Sequence, residues 1–324
     1  MKTIEVAIKV QDLTKRYPNI LAVDRVSLDV YKGEFFGFLG PNGAGKTTTI
    51  NMLTGVTKAT SGNAFILGHD ITKEPVKAKE HIGVVPDASS VYDEMTAWGN
   101  IEFSAKLHSV SKEKRAEKGK ELLELFDLYE RRNDRVGTFS RGMKKRLMIA
   151  VALVHEPEIL FLDEPTTGLD VQSSRQVRGL VKELNRTGTT VFLTTHYIEE
   201  ADQLCQHIAI IARGKIIIAD TPEKLKTMVK AEQIIEISFD HAENVADKLK
   251  HLNQVRDVVA AGDKFRLYVE DPSETLPLIF DFAKENHLRV ASINTLKLTL
   301  EDAFVKLTGL RPEVMSIEEH IKLT

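Results

Sequence analysis

The feature that most constrains this chain is the segment 40–48, Gly-Pro-Asn-Gly-Ala-Gly-Lys-Thr-Thr, which fits the pattern G-x-x-x-x-G-K-[ST]. An apolar run precedes the pattern and a helical pattern follows it, which is the strand–loop–helix context that the motif requires. Its glycines let backbone N–H groups turn inward at a helix N-terminus and attract phosphate. The segment therefore predicts a nucleoside-triphosphate site, with Thr47 as a ligand for Mg²⁺. The residues expected to contact the nucleotide are Gly40, Pro41, Asn42, Gly43, Ala44, Gly45, Lys46, Thr47 and Thr48.

A second chemical landmark is the segment 159–164, which reads Ile-Leu-Phe-Leu-Asp-Glu. Four consecutive apolar residues predict a strand buried in a parallel sheet. The acidic pair then emerges at the carboxyl end of that strand, where ligands bind in open α/β sheets. We expect Asp163 to hold Mg²⁺, directly or through water. We expect Glu164 to orient or deprotonate an attacking water, a role worth about 10²–10⁴-fold in rate.

Two further side chains are candidates for contact with the nucleotide. His196 follows another apolar strand, residues 190–194, so it is expected at the same edge of the sheet, where it can hydrogen-bond a γ-phosphate. A lone histidine also serves in packing and capping, and the residues alone leave both roles open. Tyr17 lies in the first connection between predicted strands, where its ring either stacks on an adenine or covers the surface.

The segment 138–147 predicts a second helix N-terminus that attracts phosphate. Ser140 is a suitable N-cap for a helix that continues through Leu147 and Ala150. Three basic residues, 144–146, lie on this helix, but they form a small patch without interleaved aromatics. The formal net charge of the chain is −3. Neither feature favours a nucleic acid as a partner.

Together these residues resemble the ATP-binding subunit of an ABC transporter, over residues 4 to about 225. The resemblance implies an α/β fold: a P-loop NTPase cassette with an antiparallel β subdomain and a helical subdomain at about residues 88–155. It implies that Tyr17 stacks on the adenine, that Ser140 and Gly142 form the signature, and that Asp170 belongs to the D-loop. It also identifies His196 as the switch histidine. In this family the signature of one subunit closes over the ATP of another, so the resemblance implies a dimer that binds two MgATP.

Two motifs depart from the usual pattern of that family. Arg141 replaces the first glycine of the signature and Met143 replaces its glutamine. This form resembles cassettes that serve the type-two exporters of drugs, lipids, polysaccharides and sodium. The family's Q-loop glutamine falls at Asp87, which is shorter by a methylene and charged. Asp87 is therefore expected either to bind Mg²⁺ through water or to serve only as a helix cap.

A second module is predicted from about residue 226 to residue 310. Strand and helix patterns follow there in the order β-α-β-β-α-β, which is that of a ferredoxin-like α+β domain. Thr299, with Asp302 three residues on, is suited to cap a final helix. The module resembles the accessory C-terminal domain of many type-two exporter cassettes, with dimerisation, regulation and stability as open roles. Residues 311–324 are predicted to form a polar tail.

Length, apolar runs and cysteine content limit the class of protein to which the chain can belong. A chain of 324 residues suggests two domains. Its apolar runs fall short of the roughly 20 residues that a membrane-spanning helix needs, and we expect no secretory signal. Because Cys205 is the single cysteine, the chain cannot form an internal disulfide, and we predict that Cys205 is a buried packing residue.

The resemblance implies an ATP-hydrolysing subunit of an exporter at the cytoplasmic face of the cell membrane. Such a subunit pairs as a homodimer, or as a heterodimer with a similar cassette, and drives a separate transmembrane permease. We expect the surface that contacts the permease at residues 88–100. One alternative is a soluble, non-transport ABC ATPase acting in translation or DNA repair. Another, motivated by Asp87, is the weakly hydrolysing half of a heterodimer.

Overall fold

A computed structural model describes residues 5–228, 233–240, 245–296 and 299–310. The chain forms two compact units that divide between Pro222 and Glu223, and each is described by itself. None of the helices in the described ranges combines the length and the apolar character that would let it cross a membrane. The predicted tail, residues 311–324, lies outside the described residues.

The first unit combines two sheets with helices. Its strands are β1 (Val6–Tyr17), β2 (Ile20–Tyr31), β3 (Phe35–Leu39), β4 (Ser61–Ile66), β5 (His69–Asp70), β6 (Ile82–Val85), β7 (Ile159–Asp163), β8 (Thr190–Thr195), β9 (His207–Ala212) and β10 (Lys215–Asp220). Its helices are α1 (Lys46–Leu53), α2 (Pro75–Glu80), α3 (Ala97–Leu107), α4 (Lys112–Leu125), α5 (Arg141–Leu153), α6 (Val171–Arg186) and α7 (Ile198–Leu204). The further helix α8 (Pro222–Met228) begins at the division between the units.

The larger sheet positions the site. Its six strands have the order β10-β9-β3-β8-β7-β6, and all neighbours pair in parallel except β10 with β9. Every residue of β3, β7 and β8 is buried, as expected for strands covered on both faces. Because parallel neighbours point the same way, the segments that follow these three strands emerge side by side. The buried strand predicted before the acidic pair is therefore confirmed.

The smaller sheet is antiparallel, with the order β2-β1-β4-β5. Here one prediction is wrong in its detail: Tyr17 is the last residue of β1 rather than part of the connection. Strands β1 and β2 are 12 residues long each and pair across a turn, with Tyr17 opposite Ile20. Strand β1 continues to Tyr17 through its pairing with β2, and on its other edge β4 pairs with it as far as Thr14.

Helices α3, α4 and α5 follow β6 in the predicted helical region. Helix α3 begins only at Ala97, where the side chain of Thr96 caps it by accepting from the Gly99 N–H. The segment between β6 and Thr96 forms no helix. Cys205 is buried after α7, as predicted, and burial raises the pKa of its thiol.

The second unit contains a four-stranded antiparallel sheet. Its elements are β11 (Gln233–Asp240), α9 (Val245–Lys250), β12 (Val255–Ala261), β13 (Lys264–Val269), α10 (Pro272–Glu285), β14 (Arg289–Leu296) and α11 (Leu300–Thr308). The sheet order is β12-β13-β11-β14, which gives the predicted ferredoxin-like arrangement. Ile235 and Ile237 of β11 pack in one core with Leu249 of α9 and Ile279 of α10. Thr299 and Asp302 form the predicted capping box at α11.

Candidate nucleotide site

The phosphate loop connects β3 to α1, and two of its glycines lie close against the backbone of neighbouring segments. Gly45 caps α1 at φ +106, and a Cβ there would lie 2.5 Å from the Ala22 carbonyl oxygen. A Cβ on Gly40 would lie 2.3 Å from the Ile211 carbonyl oxygen. Only glycine fits at either position, because both contacts are with backbone and cannot move aside. The loop thus leads directly into the N-terminus of α1, the geometry that favours an anion.

Lys46, the first residue of α1, ties this loop to the acidic pair. Its ammonium is 5% exposed and donates to the carbonyl oxygens of Gly40, at 2.6 Å, and Pro41, at 3.1 Å. It also lies 3.1 Å from Oε1 of Glu164. One buried cation therefore contacts both the phosphate loop and the carboxylate expected to act on water.

Asp163 ends β7 and is buried. Burial raises the pKa of its carboxyl, and hydrogen bonds from the hydroxyls of Thr194 and Thr47 oppose that rise. The Thr194 hydroxyl donates to Oδ1 at 2.5 Å. The Thr47 hydroxyl and the Asp163 carboxylate, which are expected to hold Mg²⁺, thus lie next to each other. Hard oxygen ligands of this kind fit that ion.

Glu164 is held by neighbours on three sides. Its Oε2 accepts from Nδ1 of His196 at 2.8 Å and from the Thr167 hydroxyl at 3.1 Å. Burial favours the neutral acid, but the hydrogen bond from His196 and the charge of Lys46 outweigh it and lower the pKa of Glu164. Oε1 is buried, and its contact is the ion pair with the Lys46 ammonium at 3.1 Å. The group is therefore an ionised carboxylate with one oxygen held by His196 and Thr167 and the other paired with Lys46.

The residues expected to form the signature and the D-loop lie at two adjacent helix N-termini. Ser140 caps α5 by accepting from the Met143 N–H, and Asp170 caps α6 by accepting from the Ser173 N–H. A Cβ on Gly142 would lie 2.4 Å from the Ser173 hydroxyl oxygen, so this glycine lets the two helices approach. Within the described ranges, neither Ser140 nor Asp170 forms a hydrogen bond or ion pair with residues 40–48 of its own chain.

Tyr17 and Asp87 lie at exposed positions. The Tyr17 ring is 41% exposed, with the Lys15 ammonium 5.0 Å from its centroid. Asp87 follows β6, and its carboxylate has no hydrogen bond or ion pair among the residues that the structure describes. The helix-cap interpretation of Asp87 is wrong, because the next helix is α3 and Thr96 caps it. The charge of Asp87 does help to raise the pKa of Asp163, so it acts on the acidic pair.

Comparison with known proteins decides the family. A family model described as ABC transporter matches residues 23–167, and another, described as ATP-binding protein DrrA1-3-like, C-terminal domain, matches residues 221–308. The linearmycin resistance ATP-binding protein LnrL of Bacillus subtilis is 36% identical over 93% of this chain and 98% of its own length. The chain belongs to the ABC transporter ATP-binding proteins. The daunorubicin/doxorubicin resistance ATP-binding protein DrrA of Streptomyces peucetius is also 36% identical to this cassette, over 97% of the cassette and 96% of its own length.

Solved structures resemble the cassette as well. A dimeric ATP-binding cassette in a post-hydrolysis state, bound to ADP and phosphate, gives a TM-score of 0.61 at 28% identity. The match covers 66% of this chain and 98% of that one. An ATP-binding subunit of an ABC transporter gives 0.63 at 26% identity, over 70% and 93% of the two chains. This cassette is thus an ATP-binding, ATP-hydrolysing subunit of an ABC exporter. The alternative of a translation or repair ATPase is not favoured.

Sequence reasoning missed one charged residue in the site of this cassette. The sequence indicates Lys145 only as one of three basic residues in a small patch, yet it is 6% exposed and reaches the end of β6. Helical spacing contained the signal: Gly142, Lys145 and Ile149 stand at i, i+3 and i+7, and all three lie on the buried face of α5.

Proposed function

We propose that the cassette binds MgATP at the carboxyl ends of β3, β7 and β8. Residues 40–48 surround the phosphates, Tyr17 stacks on the adenine, and Thr47 and Asp163 hold Mg²⁺, with Asp87 near the ion through water. The observation that carries the proposal is the buried contact series Lys46–Glu164–His196 beside the phosphate loop. It places a cation that can bind phosphate beside an ionised carboxylate that can accept a proton from water.

In this mechanism Glu164 accepts a proton from the attacking water. The ionised carboxylate only accepts hydrogen bonds, so Nδ1 of His196 donates to it and fixes its orientation. A bound Mg²⁺ supplies positive charge that offsets the charge developing on the phosphate oxygens. Lys46 adds a second cation at the loop, and phosphate oxygens compete for it with the Gly40 and Pro41 carbonyls.

We further propose that the ATP site is completed by a second copy of the chain. Ser140 and Gly142 would face the ATP bound to the other copy, with Asp170 beside them. Two observations support this: the N-terminus of α5 is preorganised by its Ser140 cap, and it makes no polar contact with its own phosphate loop in the described chain. Solved dimers of related cassettes support it too. A two-fold axis then creates two equivalent sites.

A complementation experiment tests the composite site. One variant carries Lys46→Ala and the other carries Gly142→Asp, so each is expected to hydrolyse ATP poorly alone. In a mixed dimer, one site combines both defects and the other combines the intact phosphate loop with the intact signature. An equimolar mixture should therefore regain hydrolysis, up to about a quarter of the wild-type rate for random pairing.

The outcome separates the arrangements. Regained hydrolysis supports a site shared between copies of this chain. No recovery, while light scattering shows that the variants mix into dimers with ATP, would contradict the composite site. A wild-type chain that stays monomeric with ATP under the same conditions would favour pairing with a different cassette.

We also propose that the dimer works peripherally at the cytoplasmic face of the membrane and drives a separate permease. Residues 88–100 are the proposed docking segment, where Tyr92 is 54% exposed. Relatives are named for resistance to linearmycin, resistance to daunorubicin and doxorubicin, and Nod factor export. We propose that the cargo is an organic molecule of that kind. Residues 1–225 would form the ATPase domain and 226–310 the accessory domain.

A further inference from the structure

Lys145 is a buried cation that the mechanism above does not use. It lies on α5, three residues after Gly142, and is 6% exposed. Its ammonium donates to the Asp87 carbonyl oxygen at 3.1 Å and to the Pro86 carbonyl oxygen at 3.4 Å. Lysine is almost never buried without a reason, because its charge loses hydration. The two carbonyls supply part of what hydration provided.

The remaining compensation comes from three carboxylates. Burial lowers the pKa of Lys145, while the charges of Asp87, Asp163 and Glu164 oppose that effect, with Asp87 the strongest of the three. The same Asp87 charge acts unfavourably on Asp163. An aspartate at this position therefore adds negative charge to an already acidic site, and Lys145 is a buried cation whose ammonium contacts the backbone of that same residue from α5.

We propose that Lys145 is a positioning residue for the MgATP site: it anchors the backbone of Asp87 at the end of β6 and offsets the negative charge that Asp87 adds. This inference rests on the proposed function, since it assigns Asp87 a place beside the bound metal. The anchoring also joins that position to the signature, because Ser140 and Lys145 belong to the same N-terminal turns of α5.

A double-mutant cycle tests the charge relation. The variants are Lys145→Met, Asp87→Asn and the combination, and the readout is the affinity for a non-hydrolysable ATP analogue, measured with Mg²⁺ and again with EDTA. Loss of a group that orients a metal site typically weakens metal affinity about 10–100-fold, and we expect Lys145→Met to weaken analogue binding with Mg²⁺ by about tenfold. The loss should be several-fold smaller in EDTA. Asp87→Asn should restore most of it, because the negative charge that Lys145 offsets is then absent.

Two further variants separate charge from anchoring and from general helix effects. Lys145→Gln keeps a donor for the carbonyls without the charge, and it should show the same dependence on Mg²⁺ with less loss of thermal stability. Lys144→Met removes a charge from the neighbouring position, where the ammonium pairs with Asp93 at 2.8 Å. It should leave the affinity for the analogue unchanged.

Three results would overturn the proposal. They are equal losses with Mg²⁺ and with EDTA, additive effects of Lys145→Met and Asp87→Asn, and wild-type affinity in both Lys145 variants. Failure of the proposed function looks different, because the wild-type chain would then bind no analogue with Mg²⁺ at all. The wild-type measurement therefore comes first: it tests the proposed function, and the Lys145 variants test the positioning role only if the wild-type chain binds the analogue.

Discussion

Replacing Glu164 by glutamine isolates the chemical step of the proposed mechanism. The amide has the size of the carboxylate and still offers an oxygen to Nδ1 of His196, which donates at 2.8 Å. It cannot accept a proton from water at neutral pH. Lys46 loses its ionised neighbour but keeps the carbonyl oxygens of Gly40 and Pro41 as acceptors. Hydrolysis should therefore fail while nucleotide binding persists.

The size of the effect follows from the state of the carboxylate. The pKa of Glu164 is lowered, since the hydrogen bond from His196 and the charge of Lys46 outweigh burial, so the base is already ionised at neutral pH. Removing a positioned base costs about 10²–10⁴-fold in rate, which corresponds to about 3–5 kcal/mol of activation free energy. The dissociation constant for ATP should be about unchanged, because the glutamine leaves the phosphate loop and Lys46 in place.

Phosphate release in a single turnover measures the chemical step, and nucleotide titration measures binding. Glu34→Gln is the matched control, because Glu34 is also a buried carboxylate that pairs with a histidine, His207. It accepts from the Tyr31 N–H beside the start of β3, at the opposite end of the strand from the phosphate loop. The control should lower the unfolding temperature and keep the turnover rate.

Two outcomes would refute this reasoning. A Glu164→Gln rate within about tenfold of wild type would remove Glu164 from the role of base, since the smallest expected loss is larger. A loss of ATP affinity as large as the loss of rate would show that Glu164 organises the phosphate loop instead.

The remaining predictions concern binding, packing and pH. Lys46→Ala should weaken ATP binding about 10–100-fold in nucleotide titration, because charge-assisted hydrogen bonds to phosphate are lost; unchanged affinity would contradict the phosphate-loop assignment. Gly142→Ala should cost about 1–3 kcal/mol of stability in urea unfolding, since its Cβ would lie 2.4 Å from the Ser173 hydroxyl oxygen, and Ser173→Gly should restore part of it. The pKa of His155 is lowered to about 4, chiefly by burial, from an ordinary 6.5. The unfolded chain therefore binds a proton below about pH 6.5 that the folded chain takes up only near pH 4, so stability falls as the pH drops through this window. The full shift is worth about 3 kcal/mol, reduced to about 2 by solvent screening, and His155→Gln should flatten the decline in unfolding measured from pH 7 to 4.

The parts of the site that local sequence predicted are those in which neighbouring residues determine the geometry. The phosphate loop requires Gly45 at positive φ within its own turn, and the acidic pair follows its own apolar strand. The ferredoxin-like order of the second unit followed from strand and helix patterns, and Thr299 with Asp302 predicted the cap of its final helix. Each of these signals lies within a few residues of the structure that it specifies.

The parts that sequence missed depend on distant partners. Strand β1 pairs with β2 as far as Tyr17 and, on its other edge, with β4, a strand that lies far along the chain, as far as Thr14. Lys145 is buried because the end of β6, nearly 60 residues earlier, offers it two carbonyl oxygens. Thr194 reaches Asp163 across the β7–β8 pair, which a pattern read along one strand does not show. The tertiary arrangement determined all three.

The contact between Lys46 and Glu164 gives the proposed mechanism an order of events. At 3.1 Å and almost fully buried, the cation and the base share one low-dielectric site, where each stabilises the charge of the other. A triphosphate competes with Glu164 for Lys46, because both are anions beside the same ammonium. Binding of the nucleotide therefore weakens the attraction that holds Oε1 of Glu164 to the loop. His196 still holds Oε2, at 2.8 Å, so the carboxylate keeps its orientation while its other oxygen becomes available to water. In the proposed mechanism, the substrate in this way releases the base that acts on it.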